Sequence, residues 1–181
     1  MIRSLTTATT QGTVKRFAAR AAVAGVLATT ATLGAQTSAQ AYPAPNDNIR
    51  NAESVFGHFS QTAGDNVDAT KQRGERRHVS TSPSQPHSVW YKWRAPAGCW
   101  DARIDTLDHP NFDTLLAVYT SPNPRRPHVT NLYRVANNDD AAPGVLQSKV
   151  NFPSSPRQTY FIAVDGFAGA EGDFVLTTDC V

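Results

Sequence analysis

The sequence predicts an all-β fold, an antiparallel β-sandwich or jelly roll of about seven to nine strands with one disulfide bond. Short alternating or apolar segments recur at roughly ten-residue intervals, with turn residues between them. No segment has the apolar periodicity of a helix of three turns. The 181 residues include only two cysteines, Cys99 and Cys180, which a secreted chain would pair.

The clearest strand lies within residues 111–120. Residues 115–119 form an unbroken apolar run, so both faces of this strand would be apolar, which indicates burial on both sides. Five apolar residues are too few for a convincing helix, and Pro122 and Pro124 close the run. A second apolar run at 160–164 predicts another buried strand.

The other predicted strands alternate apolar and polar residues. In the strand at 88–94, Val89, Tyr91 and Trp93 share one face, whereas Trp90 lies on the other face with Lys92 and Arg94. Further strands are predicted at 99–106, 128–137, 147–152 and 173–180. Residues 49–56 fit a helical turn or an edge piece, 57–70 are typical of turns, and 71–85 are typical of a long polar loop.

Residues 1–41 have the features of a cleaved secretory signal. Lys15, Arg16 and Arg20 form a basic region, residues 21–35 are small and apolar, and Ala39-Gln40-Ala41 is a typical cleavage site. The expected mature protein, residues 42–181, has the length of a single domain. No second apolar segment follows, so we expect no membrane association after cleavage.

The charge of the expected mature domain argues against nucleic-acid binding. Residues 1–41 hold four of the 17 basic residues and none of the 15 acidic residues, which leaves 13 basic and 15 acidic residues. A net charge of −2 gives a phosphate backbone little electrostatic attraction.

The expected disulfide between Cys99 and Cys180 would close a loop of about 80 residues, which on a chain-entropy estimate stabilises the fold by up to about 4–5 kcal/mol. The bond requires that the strands holding the cysteines be antiparallel neighbours or lie close together across the sandwich. One distant pair of this kind links parts of a fold and forms neither a redox site nor a zinc site.

Several motifs, in this order, are similar to those of the bacterial pre-peptidase C-terminal (PPC-like) domains. The similarity extends from residue 46 to about residue 176. The motifs are Asn46-Asp47-Asn48, Asp68-Ala69-Thr70-Lys71, Gly74-Glu75 with His78, the segments 88–96 and 112–120, Val135-Ala136 with Asn138-Asp139-Asp140, and Tyr160 with Ile162-Ala163-Val164-Asp165-Gly166.

The resemblance implies a β-sandwich that serves as an accessory module, present here as a lone secreted module. Such domains often accompany secreted peptidases, and relatives in collagenases bind calcium and collagen. Calcium-binding relatives carry Asp-x-Asp where this chain has His87-Ser88-Val89, so that pair of ligands is missing.

A calcium site can also be considered from the residues themselves. Ca²⁺ takes six to eight oxygen ligands, and Asp139 with Asp140 is the best nucleus for such a site. The alternative is that these side chains cap turns and strand ends, a role we favour for Asp113 and Asp165. The candidate ligands are Asn46, Asp47, Asp113, Asp139, Asp140 and Asp165.

The candidate ligand-binding residues are Trp90, Lys92 and Arg94. An exposed Trp90 beside two cations would be a stacking platform for a sugar or a docking residue for a protein. The alternative, which we favour, is that the loop 71–85 covers Trp90. Trp100 alternates with Asp101 and is expected to pack inward.

The sequence contains no recognisable catalytic motif, and we name no catalytic residue. It lacks H-E-x-x-H, G-x-S-x-G and zinc spacing of Cys and His. We expect a secreted, non-catalytic module that binds an extracellular protein or polysaccharide. The alternatives are an inhibitor or partner of a secreted peptidase and, from a different class, a small secreted hydrolase.

Overall fold

The computed structural model describes residues 43–108 and 111–181. The predicted signal peptide, residues 1–41, lies outside this part of the chain. Three short 3₁₀ helices occupy Ile49–Asn51, Val129–Asn131 and Phe167–Gly169. The strands are β1 Glu53–Val55, β2 Phe59–Asp65, β3 Val89–Arg94, β4 Asp101–Asp108, β5 Thr114–Thr120, β6 Tyr133–Asn138, β7 Lys149–Pro153, β8 Thr159–Gly166 and β9 Asp173–Cys180.

The strands form two sheets, which confirms the predicted all-β sandwich. The five-stranded sheet has the order β1-β3-β8-β5-β6, and the four-stranded sheet has the order β2-β9-β4-β7. Neighbouring strands are antiparallel except for β1, which runs parallel to β3. None of the helices in the described residues has the length and apolar character needed to cross a membrane.

The core between the sheets follows from the alternation along the strands. Val89, Tyr91 and Trp93 all point into it, as the sequence predicts. The ring of Tyr91 meets Phe174 of the opposite sheet edge-on, with the ring centroids 6.1 Å apart. Aromatic pairs of this geometry add to the stability gained from burying their area.

The outer face of the five-stranded sheet is also largely buried. Trp90, Ala117, Tyr119 and Phe161 form a second apolar cluster there, and Ile49 of the first 3₁₀ helix packs onto it. This second layer explains why the run 115–119 is apolar on both faces. The prediction of a strand buried on both sides is confirmed by β5, all of whose residues are buried except the half-buried Thr120.

The prediction that residues 57–70 form turns is wrong for β2. Phe59–Asp65 pairs with β9 over seven residues. Its sequence lacks an apolar alternation because it is an edge strand on which Phe59, Gln61 and Ala63 are exposed. Its interior position next to Tyr91 is a glycine, since a Cβ on Gly64 would lie 2.0 Å from the Tyr91 hydroxyl. In the predicted strand 128–137, residues 129–131 are instead a 3₁₀ turn before β6.

The predicted disulfide is confirmed. Cys99 and Cys180 are bonded, with their Cα atoms 5.5 Å apart. Cys99 precedes β4 and Cys180 ends β9, and these two strands are antiparallel neighbours. The bond therefore joins the end of the chain to the middle of the four-stranded sheet.

Candidate functional site

Three of the predicted calcium ligands lie together. Asp113 precedes β5, and Asp139 and Asp140 follow β6. Because β5 and β6 are antiparallel neighbours, the start of one strand lies beside the end of the other. One carboxylate oxygen of each of the three residues lies within 4.8 Å of the others.

The carboxylates of this acidic cluster lack sufficient partners within the protein. One oxygen of Asp113 and one of Asp139 are buried without a hydrogen bond. The other oxygen of Asp139 accepts a hydrogen bond from the Thr81 hydroxyl, 2.8 Å away. Burial, followed by the negative charges of Asp139 and Asp140, raises the pKa of Asp113. Hard oxygen donors of this kind fit Ca²⁺, with carbonyls and water completing the coordination.

The other predicted calcium ligands lie outside this cluster and have structural partners. The side-chain amide of Asn46 donates to the Trp90 carbonyl at 3.1 Å. Asp47 accepts from the Thr70 hydroxyl at 2.7 Å. Asp165 accepts from the backbone N–H groups of His87 and Gly166. Asp165 thus binds backbone N–H groups as the capping alternative predicts, whereas Asn46 and Asp47 connect segments that are distant in sequence.

Trp90 is fully buried, so the hypothesis of an exposed stacking platform at this residue is wrong. Its side chain points to the outer face of the five-stranded sheet, as alternation predicts, but the loop after β2 covers that face. His78 of this loop meets the Trp90 ring edge-on, with the ring centroids 5.4 Å apart. The favoured alternative, burial beneath the loop, is therefore confirmed.

A buried polar network fixes the loop in this position. His78 lies 2.8 Å from the Tyr119 hydroxyl through Nδ1 and 3.1 Å from Glu75 through Nε2. Because a carboxylate only accepts hydrogen bonds, His78 donates to Glu75 through Nε2, and its Nδ1 shares a hydrogen bond with the Tyr119 hydroxyl. The same carboxylate accepts from the Ser88 hydroxyl, and its other oxygen accepts from the Gln72 N–H at 2.8 Å.

The two predicted cations beside Trp90 line a surface depression. We call it the first basic depression; it has a volume of about 380 Å³. Lys92 and Arg94 meet Arg125 there, which comes from the connection between β5 and β6. None of these three cations forms an ion pair among the described residues. The remaining lining residues are Ser54, Val55, Phe56, Pro124 and Thr159.

A second basic depression lies elsewhere on the surface and has a volume of about 340 Å³. It holds three cations, Arg76, Arg77 and Arg134, and the side chain of Tyr133, which is 66% exposed. Arg134 donates to the His78 carbonyl at 3.0 Å, but none of the three arginines has a carboxylate partner among the described residues. Tyr119 and Leu132 complete its lining.

Sequence reasoning missed Phe56, Arg125 and the whole second depression. Phe56 is 76% exposed at the rim of the first depression. It sits in a segment with no strand pattern, and only the fold brings Arg125 to Lys92. Two signals were present in the sequence, the pairs Arg125-Arg126 and Arg76-Arg77, but such pairs are usually solvated loop charges.

The prediction that Trp100 packs inward is wrong. Its side chain is 68% exposed. Cys99, just before it, is buried in the disulfide, and β4 begins only at Asp101. Strand alternation therefore does not apply at residue 100.

The hydrogen bonds of three histidines do not form a Ser-His-Asp triad. The ring of His78 forms hydrogen bonds with Tyr119 and Glu75. The ring of His87 is bonded to Glu171, and that of His128 to Thr130. None of these three rings, among the described residues, has a serine hydroxyl as its partner.

Comparison with known proteins identifies no family. No protein-family model and no curated protein matches the chain. One similar solved structure is that of Aeromonas hydrophila PliG, described as a periplasmic lysozyme inhibitor of g-type lysozyme. It is 14% identical, with coverage of 71% of this chain and 94% of that chain, and the TM-score is 0.41. A similarity at this level carries no argument about the function of the present chain.

Proposed function

We propose that this protein is a secreted, non-catalytic module that binds an extracellular polymer, a protein or a polysaccharide, through the first basic depression. The signal-like residues 1–41 and the Cys99–Cys180 bond support secretion, since disulfides persist in oxidising compartments. The order of the PPC-like motifs supports an accessory role, and membership of that family is part of the proposal.

The observation that carries this proposal is the convergence of Lys92, Arg94 and Arg125 beside the exposed ring of Phe56. Like charges repel one another, so three cations without acidic partners in one depression favour an anionic ligand. An aromatic ring on the rim supplies a large contact area with few rotatable bonds. The depression also has the size of a typical ligand pocket.

Binding of the mature domain to a panel of immobilised extracellular polymers tests the proposal. The panel comprises polygalacturonate, dextran sulfate, dextran, collagen and casein. We expect saturable binding to at least one polymer, which the double variant K92Q/R125Q weakens at least about tenfold, a loss of about 1.4 kcal/mol. Arg50→Gln removes one exposed positive charge outside the depression and should bind like the wild type.

Two results of this experiment would overturn the proposal. The first is that none of the immobilised polymers retains the wild-type protein. The second is that K92Q/R125Q binds as tightly as Arg50→Gln, because the depression would then not be the binding surface.

We propose further that the acidic cluster binds Ca²⁺. Asp113, Asp139 and Asp140 repel one another, and a divalent cation would replace this repulsion by attraction. Calcium at about 100 times its dissociation constant should stabilise the domain by roughly 2.7 kcal/mol. Thermal unfolding with and without calcium measures this effect, which Asp140→Asn should reduce. An unchanged unfolding temperature at millimolar calcium would refute the site.

The acidic cluster also favours one alternative function, a small glycoside hydrolase. Retaining glycosidases place two carboxyl groups roughly 5–5.5 Å apart and raise the pKa of one of them. Asp113, with its raised pKa, would be the acid. Release of reducing sugar from a polysaccharide by wild-type protein, and its loss in Asp113→Asn, would replace the binding proposal by this one.

A further inference from the structure

The second basic depression extends the proposed binding surface, and this inference rests on the proposed function. We propose that the two depressions are two subsites for one linear anionic polysaccharide. Each combines three cations with one exposed aromatic side chain, Phe56 in the first and Tyr133 in the second. The first subsite is the first basic depression, and the second subsite is the second basic depression.

Strand pairing places the two subsites on the same face of the five-stranded sheet. Lys92 of β3 is opposite Phe161 of β8, which is opposite Tyr119 of β5. Tyr119 is opposite Arg134 of β6, just after a register shift in the pairing of these two strands. Residues directly opposite each other in a sheet point to the same face. Lys92 and Arg134 therefore stand in one row, three strand spacings or roughly 14 Å apart in backbone position.

The charges of the two subsites are matched to an anionic polymer. None of the six cations has an acidic partner among the described residues, although the expected mature domain has two more acidic than basic residues. Two separate anions could bind to the two groups of cations, but each would lose its own translational entropy. In a polymer with an anionic group on each repeat, the second anionic group binds without a further loss of translational entropy.

The surroundings of the first subsite favour a polysaccharide over an extended peptide. Lys92 and Arg94 lie on β3, whose backbone pairs with β1 on one side and β8 on the other. An extended peptide therefore cannot add to the sheet at this strand by main-chain hydrogen bonds. The polar residues Ser54 and Thr159 line the first subsite, and each subsite has one exposed aromatic residue among its lining residues, which suits the apolar face of a sugar.

Oligogalacturonates of two lengths test this arrangement by titration calorimetry. A disaccharide reaches one subsite, so the wild type should bind two per domain, weakly. A long oligomer reaches both and should bind one per domain, at least about a hundredfold more tightly. Sulfated and neutral dextran oligomers are titrated in the same way. The affinity of sulfated chains should depend on length as that of the oligogalacturonates does, and neutral chains should bind at least about tenfold more weakly than anionic chains of the same length.

Matched variants locate each subsite. Arg125→Gln and Phe56→Ala change the first subsite, whereas Arg76→Gln and Tyr133→Ala change the second. All four side chains are exposed, so the variants should fold. Each should weaken the long oligomer about tenfold. The two aromatic variants should also bind only one disaccharide per domain instead of two, and Arg50→Gln should change neither titration.

The possible failures are distinguishable. If long and short oligomers bind with equal affinity, or if only the first-subsite variants weaken binding, the two-subsite inference is wrong while the proposed function stands. Tighter binding of single-stranded DNA or poly-glutamate than of any glycan would overturn the polysaccharide class. If none of the polymers in the panel binds at all, the proposed function itself fails.

Discussion

Asp113 and Asp165 both lie at ends of buried strands, but their surroundings give them different roles. Asp165 is 3% exposed and accepts two backbone hydrogen bonds, at 2.9 Å from His87 and 2.8 Å from Gly166. Asp113 has a buried oxygen without a partner and faces two other carboxylates. The first residue completes the backbone hydrogen bonding, whereas the second is available to a cation.

The pH dependence of stability should report on Asp165. Burial raises its pKa above the ordinary value of 3.8, an effect that His78 and the two backbone hydrogen bonds partly offset. A raised folded-state pKa contributes stability that is fully present below the unfolded pKa and is lost as pH rises through the folded value. Asp165→Asn keeps an acceptor oxygen and removes the charge, so it should flatten this loss of stability above pH 3.8.

The free energy of unfolding of the wild type and of Asp165→Asn is measured in urea at a series of pH values from below 3.8 to neutrality. The comparison shows how far the substitution changes the pH dependence of stability. Asp165→Ala is the control, because it leaves two buried N–H groups without an acceptor and should cost about 1–3 kcal/mol for each at every pH. If the stability of Asp165→Asn has the same pH dependence as that of the wild type, or falls more steeply as pH rises, the assigned pKa direction is wrong.

At the scale of elements, the loop between β2 and β3 determines which aromatic residues are accessible. Glu75 and His78 anchor it on the outer face of the five-stranded sheet, and Trp90 is buried as a result. The same loop brings Arg76 and Arg77 to the second basic depression. The loop is therefore a structural part of the proposed binding surface.

Glu75→Ala should loosen this loop. It leaves the Ser88 hydroxyl, the His78 ring and the Gln72 N–H without their shared acceptor, at a cost of about 1–3 kcal/mol for a buried group. Trypsin cleavage after Arg76 or Arg77 should accelerate about tenfold or more, since local opening governs proteolysis. Glu53→Ala, an exposed change on β1, is the control, and equal cleavage rates in the two variants would contradict the anchoring role of Glu75.

The elements differ in how far their sequences predict them. β5 and β8 are buried on both faces, so their apolar runs identify them without any knowledge of the neighbours. An apolar run does not identify β2, because β2 is an edge strand with exposed Phe59 and Gln61 and needs few apolar residues. Its identity depends on pairing with β9, which is a tertiary property.

The candidate sites follow the same rule. Alternation alone places Lys92 and Arg94 on one face, so the sequence predicts them together. Arg125 joins them only through the connection after β5, and Asp113 meets Asp139 only through the pairing of β5 with β6. Alternation also placed Trp90 correctly on the outer face, and the fold confirms the favoured prediction that the loop 71–85 covers it.

At the scale of the whole molecule, the disulfide links distant parts of the chain. Cys99 and Cys180 are 81 residues apart, and their bond holds the last strand beside β4. Loss of the bond should destabilise the domain by about 2–5 kcal/mol, chiefly because the unfolded chain gains freedom. This loss is measured by comparing the urea unfolding of the C99S/C180S variant with that of the wild type. Wild-type protein treated with reductant is unfolded as a parallel sample. Equal midpoints would show that the bond does not stabilise the fold.

The two faces of the sandwich also differ as a whole. The outer face of the five-stranded sheet holds the basic depressions at the margins of a buried apolar cluster. The outer face of the four-stranded sheet carries a different pattern, in which Arg103 pairs with Asp105 and Asp179. The proposed ligand should therefore contact one face of the molecule and leave the other free.

The central claim is that one anionic polysaccharide contacts both basic depressions. The most direct test is to record the backbone amide shifts of the ¹⁵N-labelled mature domain during titration with a long oligogalacturonate. The account predicts saturable shifts at residues 54–56, 92–94 and 125, accompanied by shifts at 76–77 and 133–134. It predicts unchanged amides around Arg103, Asp105 and Asp179. Shifts confined to that opposite face, or no shifts at millimolar oligomer, would contradict the account.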